Sequence, residues 1–302
     1  MKKSLVGLLI SFALIFSASS VFAFPGVMQL ATRSGFFAND FPDTAIFLQH
    51  LYMWSGDEYF DQDGNKQDLG GGDELHIHAS FSRFIRPWHF GDAGQFQYIL
   101  EGIVPYYNLS SETGDAFGAP GAGIVVSGVG DPLIYTQIGW NNPAKTTHLQ
   151  FALVVNFPFG DEDVSLNGNA YALMPNLAFE QRMGAFKLDG STGYWFNFDS
   201  LNDDGDAKGR DYYEANLMGT YTIGKFWAYV QGDYTKYRKA KDANGNSADG
   251  PLTGDGFAVA VAPGIGYAIQ PTMTLDLKYT MDVDGENTLK GNAINLRYLW
   301  VW

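Results

Sequence analysis

The sequence predicts an all-β fold: a closed antiparallel transmembrane β-barrel of about twelve strands, with long extracellular loops and short periplasmic turns. Three observations predict it. The chain ends on Asn292–Trp302, an alternating strand with Ile294, Leu296, Tyr298, Trp300 and Trp302 on one face and Ala293, Asn295, Arg297, Leu299 and Val301 on the other. Long and short connections alternate along the chain, as in barrels that put long loops outside the cell and tight turns on the periplasmic side. Aromatics reach 16% and glycines number 36, while charged residues are only 17%. That mix is low in charge for a soluble domain. It suits a wall that is apolar outside and polar inside.

Residues 1–23 read as a secretory signal peptide. Lys2 and Lys3 precede an apolar stretch from Leu5 to Phe16, too short to span a bilayer, and Val21-Phe22-Ala23 is a cleavage site. An uncleaved anchor is the alternative. Removing the two lysines takes the formal charge from −14 to −16. So acidic a chain, with no Lys/Arg cluster, is a poor nucleic-acid binder. With no cysteine there is neither a lipid-anchor cysteine nor a disulfide framework. Residues 24–43 form a pre-barrel segment, with Phe36, Phe37 and Phe41, that either plugs the lumen from the periplasmic side or lies loose. The barrel occupies 44–302.

Twelve strands are expected at 44–54, 73–86, 95–107, 131–141, 146–158, 170–182, 185–199, 211–223, 225–238, 255–269, 271–283 and 292–302, with ten or fourteen as alternatives. Connections after odd strands are long: 55–72, 108–130, 159–169, 200–210, 239–254 and 284–291. Those after even strands are short: 87–94, 142–145, 183–184, 224 and 270. In 272–282, Met273, Leu275, Leu277, Tyr279 and Met281 face lipid. In 148–157, Leu149, Phe151, Leu153, Val155 and Phe157 do so. In 74–82, Leu75, Ile77, Ala79 and Phe81 are assigned to lipid, and Glu74, His76, His78, Ser80 and Ser82 to the lumen. One side of 257–269 is almost all Ala or Gly, which lowers lumen bulk there. Strands of about ten residues cross a bilayer at a tilt, and the sheet must close because lipid satisfies no backbone group. Aromatics near strand ends predict two interfacial girdles: Tyr52, Trp54, Trp88, Tyr106, Tyr107, Trp140, Tyr194, Trp195, Tyr212, Tyr213, Phe226, Trp227, Trp300 and Trp302.

Several short motifs follow one another in a telling order. They are Ser34-Gly35-Phe36-Phe37, Phe41-Pro42-Asp43, Tyr52, Asp61-Gln62-Asp63-Gly64-Asn65, Gly128-Val129-Gly130-Asp131-Pro132 and Phe157-Pro158-Phe159-Gly160-Asp161. Together they resemble the outer-membrane family called "putative meta-pathway of phenol degradation", over most of the mature chain. The resemblance implies a transporter-type barrel associated with uptake of aromatic or other hydrophobic small molecules. It implies no catalytic residue and no particular substrate.

Charges at membrane depth belong inside the barrel. The lumen candidates are Glu101, Glu180, Arg182, Lys187, Asp189, Glu214, Asp233, Asp276, Lys278 and Arg297, acting either as a selectivity ring or as a salt-bridge ladder. Asp276, Lys278 and Arg297 fit the ladder better. Aromatic lining candidates are Tyr107, Tyr135, Trp195, Tyr212, Trp227 and Tyr229, whose rings could pass aromatic solutes by stacking. They could equally be packing, because a one-residue slip inverts a strand. His76 and His78, with Glu74, are weak metal candidates lacking a fourth ligand. The acidic loops at 61–64, 202–206 and 242–246 carry Asx-turn chemistry rather than the spacing of a calcium loop, with weak calcium binding at the cell surface as the alternative. His50, His76, His78, His89 and His148 sit in no recognisable nucleophile setting, so no enzyme and no cofactor are expected.

These features give a channel or transporter in the outer membrane of a Gram-negative bacterium, for passive uptake of small hydrophobic or aromatic molecules. The alternatives are a structural or surface-interaction barrel with a blocked lumen and, third, an outer-membrane hydrolase. The expected partners are the lipid bilayer and lipopolysaccharide, a small-molecule solute, and the barrel-assembly machinery, which would read the strand ending at Trp302.

Overall fold

The computed structural model describes residues 41–69, 74–111, 124–161, 164, 170–200, 210–239 and 254–302; the leader and most of the 24–43 segment lie outside the described residues. Its strands in chain order are β1 (Ile46–Phe60), β2 (Lys66–Asp68), β3 (Leu75–Phe90), β4 (Phe96–Ser111), β5 (Ile124–Val129), β6 (Leu133–Asn141), β7 (Thr147–Asn156), β8 (Ala170–Met183), β9 (Phe186–Ser200), β10 (Tyr212–Ile223), β11 (Phe226–Tyr237), β12 (Gly256–Gln270), β13 (Met273–Glu286) and β14 (Thr288–Val301). Twelve of them pair antiparallel in sequence order, and β14 pairs back onto β1 from Ile46↔Val301 to Phe60↔Thr288. The wall therefore has no free edge, which lipid demands. The seam is finished by Trp302, whose N–H donates to the Ala45 carbonyl at 3.1 Å.

β2 and β5 are additions at the extracellular end. β2 folds back on β1, and β5 extends the line of β6 along β4, with Tyr106↔Val129 above Ile103↔Leu133. Gly130, Asp131 and Pro132 interrupt that line. Four prolines sit in barrel strands; Pro87 lies beyond the end of the β1 ladder and Pro105 at the break between β5 and β6. Pro175 pairs with Leu153 on β7 and Pro263 with Val230 on β11, while the opposite ladder skips each of them. Proline lacks the N–H that the skipped side would need.

Several expectations need correction. The long connection at 284–291 is absent: β13 and β14 run on past the membrane and turn at Asn287, whose φ of 46° is a left-handed value that Asn tolerates. The connection starting at 55 is strand as far as Phe60. Most important, β3 faces the other way. Leu75, Ile77, Ala79, Phe81 and Ile85 are buried inside, while His76, His78, Ser80 and Ser82 point outward. The reading failed because it assumed that an apolar face must meet lipid, whereas this lumen is itself largely apolar. Tyr52 and Trp54 likewise point inward, as do Tyr107, Trp195 and Tyr212. Trp88, Tyr106, Tyr213, Phe226, Trp300 and Trp302 are exposed on the outside, as a girdle requires.

Candidate functional site: the lumen

Three layers fill the barrel. The outermost is aromatic and aliphatic. Tyr52, Trp54, Leu75, Ile77, Phe81 and Tyr107 from β1, β3 and β4 meet Tyr135, Trp195, Tyr212 and Tyr237 from the other wall, all buried. Phe81 and Tyr107 meet edge to face at 5.9 Å, and Trp195 stacks on Tyr212 at 6.0 Å. Gly193 makes room here, since a Cβ would lie 2.7 Å from the Met174 sulfur and 3.0 Å from Asn176 Nδ2. The Trp195 Nε1–H and both side-chain polar atoms of Asn176 and Asn156 face this layer with no hydrogen-bond partner among the described residues. Lone buried polar groups of this kind can bond a solute.

The middle layer is a polar belt. Arg83 and Glu101, 1% and 3% exposed, form a buried ion pair. Glu101 also accepts from Gln137 Nε2 at 3.2 Å, and Gln137 accepts from Gln150. On the β11–β14 side Asp276 accepts from Tyr229 at 2.6 Å and Trp227 at 3.1 Å, and lies 3.3 Å from the Arg297 guanidinium. Lys278 reaches Gln231 at 3.4 Å, and Gln231 donates to Asp233 at 2.7 Å. On β8 and β9, Lys187 bridges Asp189 at 3.0 Å and Glu180 at 3.5 Å. Glu214 is buried on the same arc. Arg182 bonds Glu180 at 2.6 Å, but its side chain is 46% exposed at the periplasmic rim. Of the three residues expected as a ladder, Asp276 and Arg297 form an ion pair while Lys278 bonds Gln231. Arg83, Gln137, Gln150 and His50 were missed. Arg83 shares the parity of Phe81, so the inverted reading of β3 hid it.

The Ala/Gly face of β12 does not widen the lumen. A Cβ on Gly264 would lie 2.2 Å from the Tyr229 ring, and one on Gly266 1.9 Å from Trp227. The side chains of β11 lie flat in the space that β12 leaves.

The innermost layer is apolar again: Ile46, Leu48, Ile85, Ile99 and Leu299, with Phe41 seated on it at 8% exposure. Gln97 holds Phe41 by its backbone, donating from Nε2 to the Phe41 carbonyl at 2.6 Å and accepting from its N–H at 3.5 Å. Asp43 accepts from the His89 backbone N–H at 2.8 Å and from Nδ1 at 2.6 Å. His89 Nε2 then lies 3.1 Å from Gln97 Nε2, which fixes the neutral ring as acceptor there. Hydrogen bonding to His89 lowers the Asp43 carboxyl below its ordinary value.

His76 and His78 are not in the lumen. His76 lies 3.8 Å from Glu74, and among the described residues no three His, Cys, Asp or Glu gather as metal ligands would.

The family model described as "Putative MetA-pathway of phenol degradation" matches residues 57–298. The chain belongs to this family. The phenol-degradation family barrel is also similar to solved structures. An outer membrane channel from Pseudomonas putida F1 is 18% identical with a TM-score of 0.76, over 89% of this chain and 98% of that one. The translocator domain of the autotransporter NalP from Neisseria meningitidis is 9% identical with a TM-score of 0.54, over 92% and 94%. No curated protein matches the chain in sequence. The chain has the closed antiparallel β-barrel fold of these outer-membrane proteins.

Proposed function

We propose that this barrel lets small hydrophobic or aromatic molecules move passively across the outer membrane, with no chemical step. One observation carries the reading: the outer half of the lumen is walled mainly by aromatic and aliphatic side chains, with the buried Arg210 held over the Tyr237 ring. An apolar ring entering from outside leaves water for faces on which it can stack. Trp195, Asn176 and Asn156 offer a hydroxyl or carbonyl on it a hydrogen bond. The belt around Arg83, Glu101, Asp276 and Arg297 sets what passes inward. The segment up to Asp43 acts as a periplasmic plug, since Phe41 covers the inner apolar layer.

Flux of phenol or indole into proteoliposomes tests this. Deleting residues 24–43 from the mature chain raises flux severalfold, and Trp195→Ala with Tyr212→Ala lowers it. A folded deletion variant with neither conductance nor flux would favour the second reading, a blocked surface barrel. That reading draws support from how fully Arg83 and Glu101 are buried. Lipopolysaccharide would meet the outer girdle. The assembly machinery would read the β14 end at Trp302.

A further inference from the structure

Within the membrane-spanning wall, most described outward positions are apolar, with Phe151, Leu177, Leu217, Val230, Ile265 and Leu277 all exposed; Thr136 and Thr192 are isolated exceptions whose hydroxyls meet Tyr98 and the Glu214 carbonyl. β3 departs from this. It places His78, Ser80 and Ser82 on the outside and its aliphatic residues within. Gln49, outward on β1 and paired with Ser82 in register, joins them. Its Nε2 donates to Ser80 Oγ at 2.7 Å, and its Oε1 accepts from Ser82 at 2.8 Å. The Ser80 hydroxyl hydrogen and both His78 ring nitrogens have no partner among the described residues.

Such groups are costly against acyl chains and serve elsewhere as glue between membrane-spanning elements. The patch is also shallow. Across β3–β4, Phe84 pairs with Gly102, and a Cβ on Gly102 would meet nothing within 4 Å. Small residues let two walls approach closely.

We propose that this face is a self-association surface, on which a second copy of the chain docks by a two-fold axis normal to the membrane. Two copies inserted in the same sense present the same patch to each other, so the patch must complement itself. Gln, Ser and neutral His each donate and accept, and meet their own kind without like-charge repulsion. Arg86, the outward cation of this strand, lies away from the patch at the periplasmic end, its guanidinium over Trp88 at 5.5 Å.

The chain has no cysteine, so single thiols report cleanly. Ser80→Cys, Ser82→Cys and, on the far wall, Leu217→Cys are to be treated in outer membranes with a short bismaleimide. A covalent dimer of the first two, with Leu217→Cys remaining a monomer, is expected. Absence of dimer from thiols that label readily overturns the proposal, as does equal dimer from Leu217→Cys. Capture of a different protein, or of this chain's own N-terminal segment, overturns it too. A folded Gln49→Leu/Ser80→Ala/Ser82→Ala variant should lose dimer at least tenfold by native mass spectrometry. Unchanged dimer in that variant would place the contact elsewhere.

Discussion

Val129 and Asp161 hold each other twice across the extracellular rim. The Val129 N–H donates to the Asp161 carboxylate at 2.8 Å, and the Asp161 N–H donates to the Val129 carbonyl at 2.7 Å. Beside them the Gly160 N–H donates to Asp131 at 3.1 Å. Two of the short motifs that mark the family thus meet as a clasp joining the β4–β6 and β7–β8 loops. Asp161→Ala removes an acceptor and leaves a backbone donor unmatched, a loss of about 1–3 kcal/mol. The heat-modifiable gel shift of the folded barrel should then fall to lower temperature, and Asp161→Asn should fall less.

Arg83 and Glu101 lie too deep for water to replace either partner. Arg83→Ala should destabilise the barrel by about 3–5 kcal/mol, because it strands a buried carboxylate. Arg83→Met with Glu101→Leu should recover much of that. Urea unfolding in lipid vesicles reads the difference. A double variant no better than the single one would show that the pair is worth more than its desolvation cost.

β12 tolerates no side chain where the rings of β11 cross it. Gly266→Val should lower the folded fraction sharply, since Trp227 has nowhere to go, with overpacking of about 1–3 kcal/mol or more. Ile265→Val, one residue away but facing lipid, should change little. Folding yield into detergent micelles compares the two.

The Asp43–His89 contact predicts how the chain entering β1 responds to acid. Asp43 titrates below its ordinary value of 3.8 while docked, chiefly through its hydrogen bond to His89. Its contribution to docking is therefore complete above that value and disappears as pH falls through the lowered one. Protease cleavage within residues 24–40 should rise at that acid limb in the native chain. Asp43→Asn should show raised cleavage at every pH.

Strand number, closure and most facings were legible because alternation in strands such as Met273–Glu286 and Thr147–Asn156 is strict and lipid punishes error on one face. β3 was illegible for the converse reason. Leu75, Ile77 and Phe81 suit an apolar lumen as well as they suit lipid, and alternation cannot say which side is which. Arg83 with Glu101, opposite charges on neighbouring strands at membrane depth, held the missing information: both must point inward. Tight packing of Trp227 and Tyr229 over Gly266 and Gly264 is a cross-strand property that no single strand's pattern records. The Gln97 grip on Phe41 joins positions 56 residues apart through a carboxamide with no sequence signature.

The account rests on an apolar path through the outer lumen, and time-resolved flux of indole into proteoliposomes tests it most directly. It predicts saturable entry that rises when residues 24–43 are removed and drops on Trp195→Ala/Tyr212→Ala, with glucose entry unchanged by either. Indole entry no faster than in protein-free vesicles for all three folded forms would contradict it.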